Sequence, residues 1–187
     1  MKKSSALSRD AYCHFLSIPT RWMDNDVYGH VNNVVYYSYF DTVVNEYLIR
    51  RGVLDIEHGQ TIGLVVETQC NYFAPLVFPD RLDAGLRVAR LGTSSVRYEV
   101  GLFKEGESMP AAQGHFVHVY VDRATRRPVA LADAWRAALQ PLAADGPNLG
   151  PGDASNRVPK PPPGAAPKRA PNEAPNPGSD ADANVGR

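Results

Sequence analysis

Between Asn32 and Arg51 the apolar side chains return every three or four residues. Tyr36, Phe40, Val43, Val44, Tyr47 and Leu48 fall on one stripe, with Tyr37 beside it; Ser38, Asp41, Thr42, Asn45 and Glu46 fill much of the opposite side. That spacing predicts a helix. Asn32 or Asn33 can cap its start, Arg50 and Arg51 suit its negative end, and Gly52 can stop it. Aromatic and β-branched residues are middling helix formers, so packing must hold this helix and it should be largely buried.

After the helix the period drops to two. Ile62, Leu64, Val66, Cys70 and Tyr72 are expected on one face of a strand, with Glu67, Gln69 and Asn71 on the other. Pro75 and Pro79 break the pattern. Leu82, Ala84, Leu86 and Val88 then alternate with Asp83 and Arg87, and Val96, Tyr98, Val100 and Leu102 alternate with Arg97 and Glu99. Lys104 to Glu107 reads as a turn, Ala111 to Val121 as a further strand, Asp122 to Pro128 as a polar turn, and Leu131 to Leu139 as a short helix. Tyr12 to Ile18 reads as a first strand. Consecutive strands with tight turns imply antiparallel pairing, so the fold class is α+β, with one long helix against a sheet of about five strands. A sheet that curls around the helix would bury its apolar surface.

Composition sets the limits of this domain. Ten of the 16 prolines lie after Gly146, and no Phe, Tyr or Trp follows Trp135. Such a segment cannot bury enough apolar area to offset its ordering entropy. The expected organisation is a flexible N-terminus over 1–9, a folded domain over 10–145 and a disordered proline-rich tail over 146–187. Pro159 and Pro162 satisfy a PxxP spacing in that tail.

Charge and cysteine content remove several function classes. The chain has 20 Lys plus Arg against 20 Asp plus Glu, so it lacks the basic footprint of a nucleic-acid binder. No apolar run approaches the roughly 18 residues of a membrane span, and no apolar core follows Lys2 and Lys3 to make a secretory signal. The two cysteines, Cys13 and Cys70, form no disulfide framework or metal spacing and are expected as small apolar fillers in strands. These readings point to a reduced, cytoplasmic protein with no metal and no cofactor.

The candidate chemistry lies between the first strand and the helix, in Arg21-Trp22-Met23-Asp24-Asn25-Asp26-Val27-Tyr28-Gly29-His30-Val31-Asn32-Asn33. A helix N-terminus offers unpaired N–H groups and positive potential to an anion or a developing oxyanion. A carboxylate beside it can serve as base or nucleophile. The same residues also suit a plain Asx-turn and helix cap, and His30 also suits a structural role in a turn. A calcium loop fails, because Tyr28 and Val35 stand where ligands are needed. His115 and His118, three apart on a strand, should face opposite sides, and Glu67 should be solvated or ion-paired.

The pattern Asp24-x-Asp26-x-x-Gly29-His30-Val31-Asn32-Asn33, followed by Tyr36, Tyr37, Tyr39 and Phe40, resembles the 4-hydroxybenzoyl-CoA thioesterase branch of the hotdog-fold acyl-CoA thioesterases. Asn71-Tyr72-Phe73-Ala74-Pro75 and Leu91-Gly92-Thr93-Ser94-Ser95 are similar to later family segments, in the expected order. The resemblance covers about residues 10–140. It implies a hotdog fold, in which a curled antiparallel sheet wraps a central helix. It further implies a homodimer or homotetramer with active sites between subunits, and metal-free hydrolysis of an acyl-CoA thioester. The family's catalytic carboxylate falls on Asp26, its carbonyl-polarising backbone N–H on Asn33, and a site-lining position on His30. A hotdog-fold binding module or hydratase is the alternative expectation.

Overall fold

The computed structural model describes residues 6–143. The tail expected over 146–187 lies outside the described residues. In chain order the elements are β1 (His14–Pro19), α1 (Asn33–Arg50), β2 (Thr61–Tyr72), β3 (Arg81–Leu91), β4 (Ser95–Lys104), β5 (Ala112–Asp122) and α2 (Asp133–Leu139), with short 3-10 turns at Arg9–Ala11, Trp22–Asp24 and Gln140–Leu142. The five strands form one antiparallel sheet in the order β1-β3-β4-β5-β2. The expected α+β arrangement of one main helix and five strands is therefore present.

α1 has 18 residues, about 27 Å at ~1.5 Å per residue. Asn32 is its cap: the side-chain Oδ1 accepts from Val34 N at 3.2 Å. Gly52 ends it at φ +70°, a conformation that costs a glycine nothing. Tyr36, Tyr39, Phe40, Val43, Val44, Tyr47 and Leu48 are buried along it, so Tyr39 joins the stripe read from the sequence. They meet Leu82, Ala84, Leu86 and Val88 of β3 and Val96, Tyr98, Val100 and Leu102 of β4, the alternating positions, in one core. α2 brings Trp135 and Leu139 to the same core.

The structure corrects three readings. β1 begins at His14, and Cys13 before it is exposed and fills no core. Tyr12 instead packs edge-on against Phe15 and Phe103, where Gly85 and Gly101 leave room for its ring. β2 does not keep one alternation. A bulge between Val65 and Glu67 sets Leu64 opposite Val119 but Glu67 opposite Val117, so the apolar positions before and after it lie on different faces. Finally, β2 and β3 are consecutive but not neighbours. β2 pairs with β5 at one edge, while β3 lies between β1 and β4.

The connection from β2 to β3 carries the chain past the start of α1. Leu76 is fully buried there, and its carbonyl accepts from Val31 N at 2.7 Å. Asp80 O accepts from both Thr20 N at 3.0 Å and Thr20 Oγ1 at 2.8 Å. This crossing segment braces the stretch that holds the candidate chemistry.

Candidate active site

Asp24 and Asp26 stand two residues apart and are used differently. The Asp24 carboxylate is 1% exposed. It accepts from Arg21 N at 2.7 Å and Arg21 Nε at 3.0 Å, with Arg21 Nη2 at 2.8 Å. Tyr39 Oη donates to it at 2.6 Å from inside α1. Burial alone would raise the Asp24 pKa; the Arg21 and Tyr39 hydrogen bonds outweigh it and hold the carboxyl below its usual range. The Asp24 carbonyl also accepts from Asn32 N at 2.8 Å. Asp24 thus ties the incoming strand to the cap of α1 and is closed to substrate.

Asp26 opens a tight loop. Its Oδ1 accepts from Tyr28 N at 2.8 Å and His30 N at 3.3 Å, and its own N–H donates to His30 O at 2.8 Å. Gly29 closes the turn at φ +82°, the left-handed region where a Cβ is strained. Both amide bonds go to one carboxylate oxygen. Among the described residues Oδ2 accepts no hydrogen bond, and Asp26 is only half-buried. The side chain is therefore oriented by one oxygen and open at the other.

His30 is exposed, and its ring makes no hydrogen bond among the described residues. The loop brings its backbone to Asp26 rather than its imidazole. Asn33 is the first residue of α1 and is exposed; its N–H has no acceptor among the described residues, as expected for a helix's first turn. Its carbonyl accepts from Tyr72 Oη at 3.3 Å, which ties the end of β2 to the helix start. Asn25 Oδ1 accepts from Phe78 N at 3.2 Å and anchors the loop to the crossing segment. Asp26, His30 and Asn33 therefore share one short segment. Sequence reasoning missed the Asp24–Tyr39 bond, which spans 15 positions and leaves no local signal.

The other candidates resolve simply. Glu67 Oε1 meets His115 Nε2 at 2.8 Å and Arg97 Nη1 at 3.3 Å. The expected ion pairing is present, and the His115 hydrogen bond, ahead of Arg97, holds the Glu67 pKa below its usual value. His118 points the other way, into the core, as its three-residue offset requires. Among the described residues no three His, Cys, Asp or Glu side chains come together as a metal site, and no helix is long and apolar enough to cross a membrane.

A thioesterase-like superfamily model matches residues 20–139, which span the loop, α1 and all of β2 to β5. The chain belongs to the thioesterase-like superfamily. Among solved structures, the PA5185 protein of Pseudomonas aeruginosa is 56% identical, with a TM-score of 0.74 over 76% of this chain and 99% of that one. PA2801, a thioesterase candidate from the same organism, is 32% identical with a TM-score of 0.63, over 68% of this chain and 98% of its own. The DHNA-CoA thioesterase of Staphylococcus aureus is 20% identical with a TM-score of 0.61 over 66% of this chain and 86% of its own, a likeness of fold alone. The 4-hydroxybenzoyl-CoA branch is a finer assignment than these likenesses make.

Proposed function

We propose that the protein is an acyl-CoA thioesterase of the hotdog type, with Asp26 as its working carboxylate. The observation that carries this reading is the one-sided anchoring of Asp26 in the loop that leads to the Asn33 N–H, which has no acceptor among the described residues. A base or nucleophile needs a fixed orientation and a free lone pair; Oδ1 gives the first and Oδ2 the second. The superfamily membership supports a thioester as the substrate class.

The chemistry follows from the parts. The thioester carbonyl oxygen lies at Asn33 N–H, where the start of the helix stabilises negative charge. Asp26 either takes a proton from water as that water attacks the carbonyl carbon, or attacks the carbon itself. In the first route the tetrahedral oxyanion collapses, the C–S bond breaks and CoA leaves as thiolate, which takes up the proton. In the second route the thiolate leaves an acyl-aspartyl anhydride that water then hydrolyses. A thioester has a good leaving group, so both routes need only orientation and oxyanion stabilisation. His30 lines the entrance to this site.

The reading includes a homodimer. β2 is a 12-residue edge strand with no fully buried residue, and its exposed Val65 and Tyr72 are each 47% accessible. An apolar edge of that length without cover is a template for pairing. Trp22, Met23, Val27 and Tyr28 add a bare apolar surface around the loop. Sedimentation of the full chain checks this: a monomer at micromolar concentration removes the dimer from the proposal.

The decisive experiment is thiol release from a panel of acyl-CoAs by wild type and Asp26→Asn, with circular dichroism to verify both folds. Activity that Asp26→Asn abolishes supports a carboxylate-dependent thioesterase. Full activity in a folded Asp26→Asn overturns the assignment, and saturable acyl-CoA binding without thiol release supports a binding module.

A further inference from the structure

A cavity of about 280 Å³ opens beside the C-terminal half of α1, between that helix, the start of β2, the end of β5 and α2. Asn45 and Leu48 line it, twelve and fifteen residues after Asn33, so it lies about 18–22 Å along the helix from the candidate active site. It belongs to none of the machinery above.

Its walls combine two chemistries. Leu48, Ile62 and Trp135 are apolar; Asn45, His118 and Arg126 are polar. His118 is 4% exposed, and its Nε2 is buried with no hydrogen-bond partner. Its Nδ1 also makes no bond among the described residues and faces Gly63, where an added Cβ would sit only 3.1 Å away. Gly63 thus leaves the ring open toward the cavity. Nε2 has no accessible surface and is out of an occupant's reach, so Nδ1, facing Gly63, is the imidazole atom that can meet a ligand in the cavity. Burial holds this histidine neutral, with its pKa pushed down to about 4, so it offers one donor and one acceptor at neutral pH.

The charge of the lining selects that occupant. Two arginines, Arg123 and Arg126, border the cavity, and among the described residues no carboxylate does. Arg123 is engaged: its Nη2 donates to Ile56 O at 2.7 Å and its N–H to Gln60 O at 2.8 Å, pinning the loop that forms one wall. Arg126 makes no ion pair among the described residues. The volume is just below the range of drug-sized pockets. We propose that this cavity is a second ligand site, for a compact monocarboxylate whose aromatic or branched body lies against Leu48, Ile62 and Trp135 and whose carboxylate meets Arg126.

Trp135 reports occupancy directly. The chain has two tryptophans, and Trp22 is 80% exposed in the distant loop. In a Trp22→Phe background all tryptophan emission comes from Trp135, and the full chain is titrated with benzoate and with benzamide, its neutral isostere. The expected result is a saturable emission change with benzoate at least tenfold tighter than with benzamide. Arg126→Gln, an exposed turn residue, should weaken benzoate at least tenfold and leave benzamide within threefold. His118→Leu should weaken both. No saturable response to benzoate, equal affinity for the two probes, or an Arg126→Gln without effect would each overturn the proposal. The titration needs no turnover, so it stands or fails separately from the hydrolase reading. A response to benzoyl-CoA but not to benzoate would make the cavity part of the thioester site and sink the second-site reading.

Discussion

At the start of α1, Asp24 and Asp26 together accept from Arg21, Tyr28, His30 and Tyr39, and among the described residues Asp26 Oδ2 is left without a hydrogen bond. At the other end of the same helix, His118 Nε2 and Arg123 Nε are buried without partners beside a hollow. The first region leaves one carboxylate oxygen, Asp26 Oδ2, without a partner among the described residues. The second, on the proposal above, receives a ligand. Unpaired polarity inside a fold and free polarity at its surface are thus different signals, and the first also occurs at Tyr12 and His14, outside the cavity lining.

The sharpest break of this contrast is at Asp26. If Oδ2 is the working atom, Asp26→Asn keeps both amide contacts at Oδ1 but loses the base or nucleophile. Thiol release should fall by roughly 10²–10⁴ while the melting temperature moves by no more than a few degrees. After a single turnover in H₂¹⁸O, label in the Asp26 side chain would establish the anhydride route, because the base route never bonds an Asp26 oxygen to the acyl carbon.

Asp24→Ala should do the reverse. It strips Tyr39 Oη and Arg21 of their shared acceptor inside the core. Losing a buried, charged acceptor costs about 3 kcal/mol, a drop on the order of 10 °C in melting temperature for a domain of this size. Tyr39→Phe removes one bond to that carboxylate and should cost about 2 kcal/mol. A calorimetric scan checks both; a melting temperature unchanged in Asp24→Ala would mean that the carboxylate is not the anchor.

Much of this contrast was legible in the sequence, and the reasons differ by element. Tyr36 to Leu48 announce α1 because a helix repeats every 3.6 residues, and Leu82 to Val88 and Val96 to Leu102 announce β3 and β4 because each buries one face. The same logic failed in β2, where an inserted residue near Val66 shifts the face without changing composition. It also missed that β2 takes an outer place beside β5, since strand order depends on long-range pairing that no local period encodes. The loop over 24–33 was legible as a unit because its residues are contiguous. The cavity was not, since Asn45, Gly63, His118, Arg126 and Trp135 come from five separate stretches.

The cavity also predicts a pH signature. Burial lowers the His118 pKa from 6.5 to about 4. Below pH 6.5 the unfolded chain binds a proton that the folded chain refuses, so stability falls with pH between those values and levels off below the lower one. The full loss is roughly 3 kcal/mol. His14 is lowered as well, chiefly by burial, and contributes to the same window. Tyr98 and Tyr120 pack against His118, and burial raises both phenols further from that window. Denaturant unfolding of wild type and His118→Leu from pH 7 to pH 4 isolates the histidine: the variant's slope should be shallower by most of that amount, and equal slopes would show that His118 is already charged or hydrated in the folded state.

The smallest expected effect tests how tightly the loop is set. A Cβ on Gly29 meets nothing within 4 Å, so any cost of Gly29→Ala comes from backbone alone, at φ +82°. A left-handed alanine costs about 1–2 kcal/mol, and the loop can avoid that cost by rotating out of the turn. Rotation would pull Tyr28 N and His30 N away from Asp26 Oδ1, because both amides flank Gly29. Asn tolerates the left-handed region better than alanine does, so Gly29→Asn should keep the amide contacts at a lower cost. Thiol release should therefore fall severalfold in Gly29→Ala and less in Gly29→Asn, with both proteins melting within a few degrees of wild type. Equal losses in the two variants would locate the effect in the added side chain rather than in the backbone turn that orients Asp26.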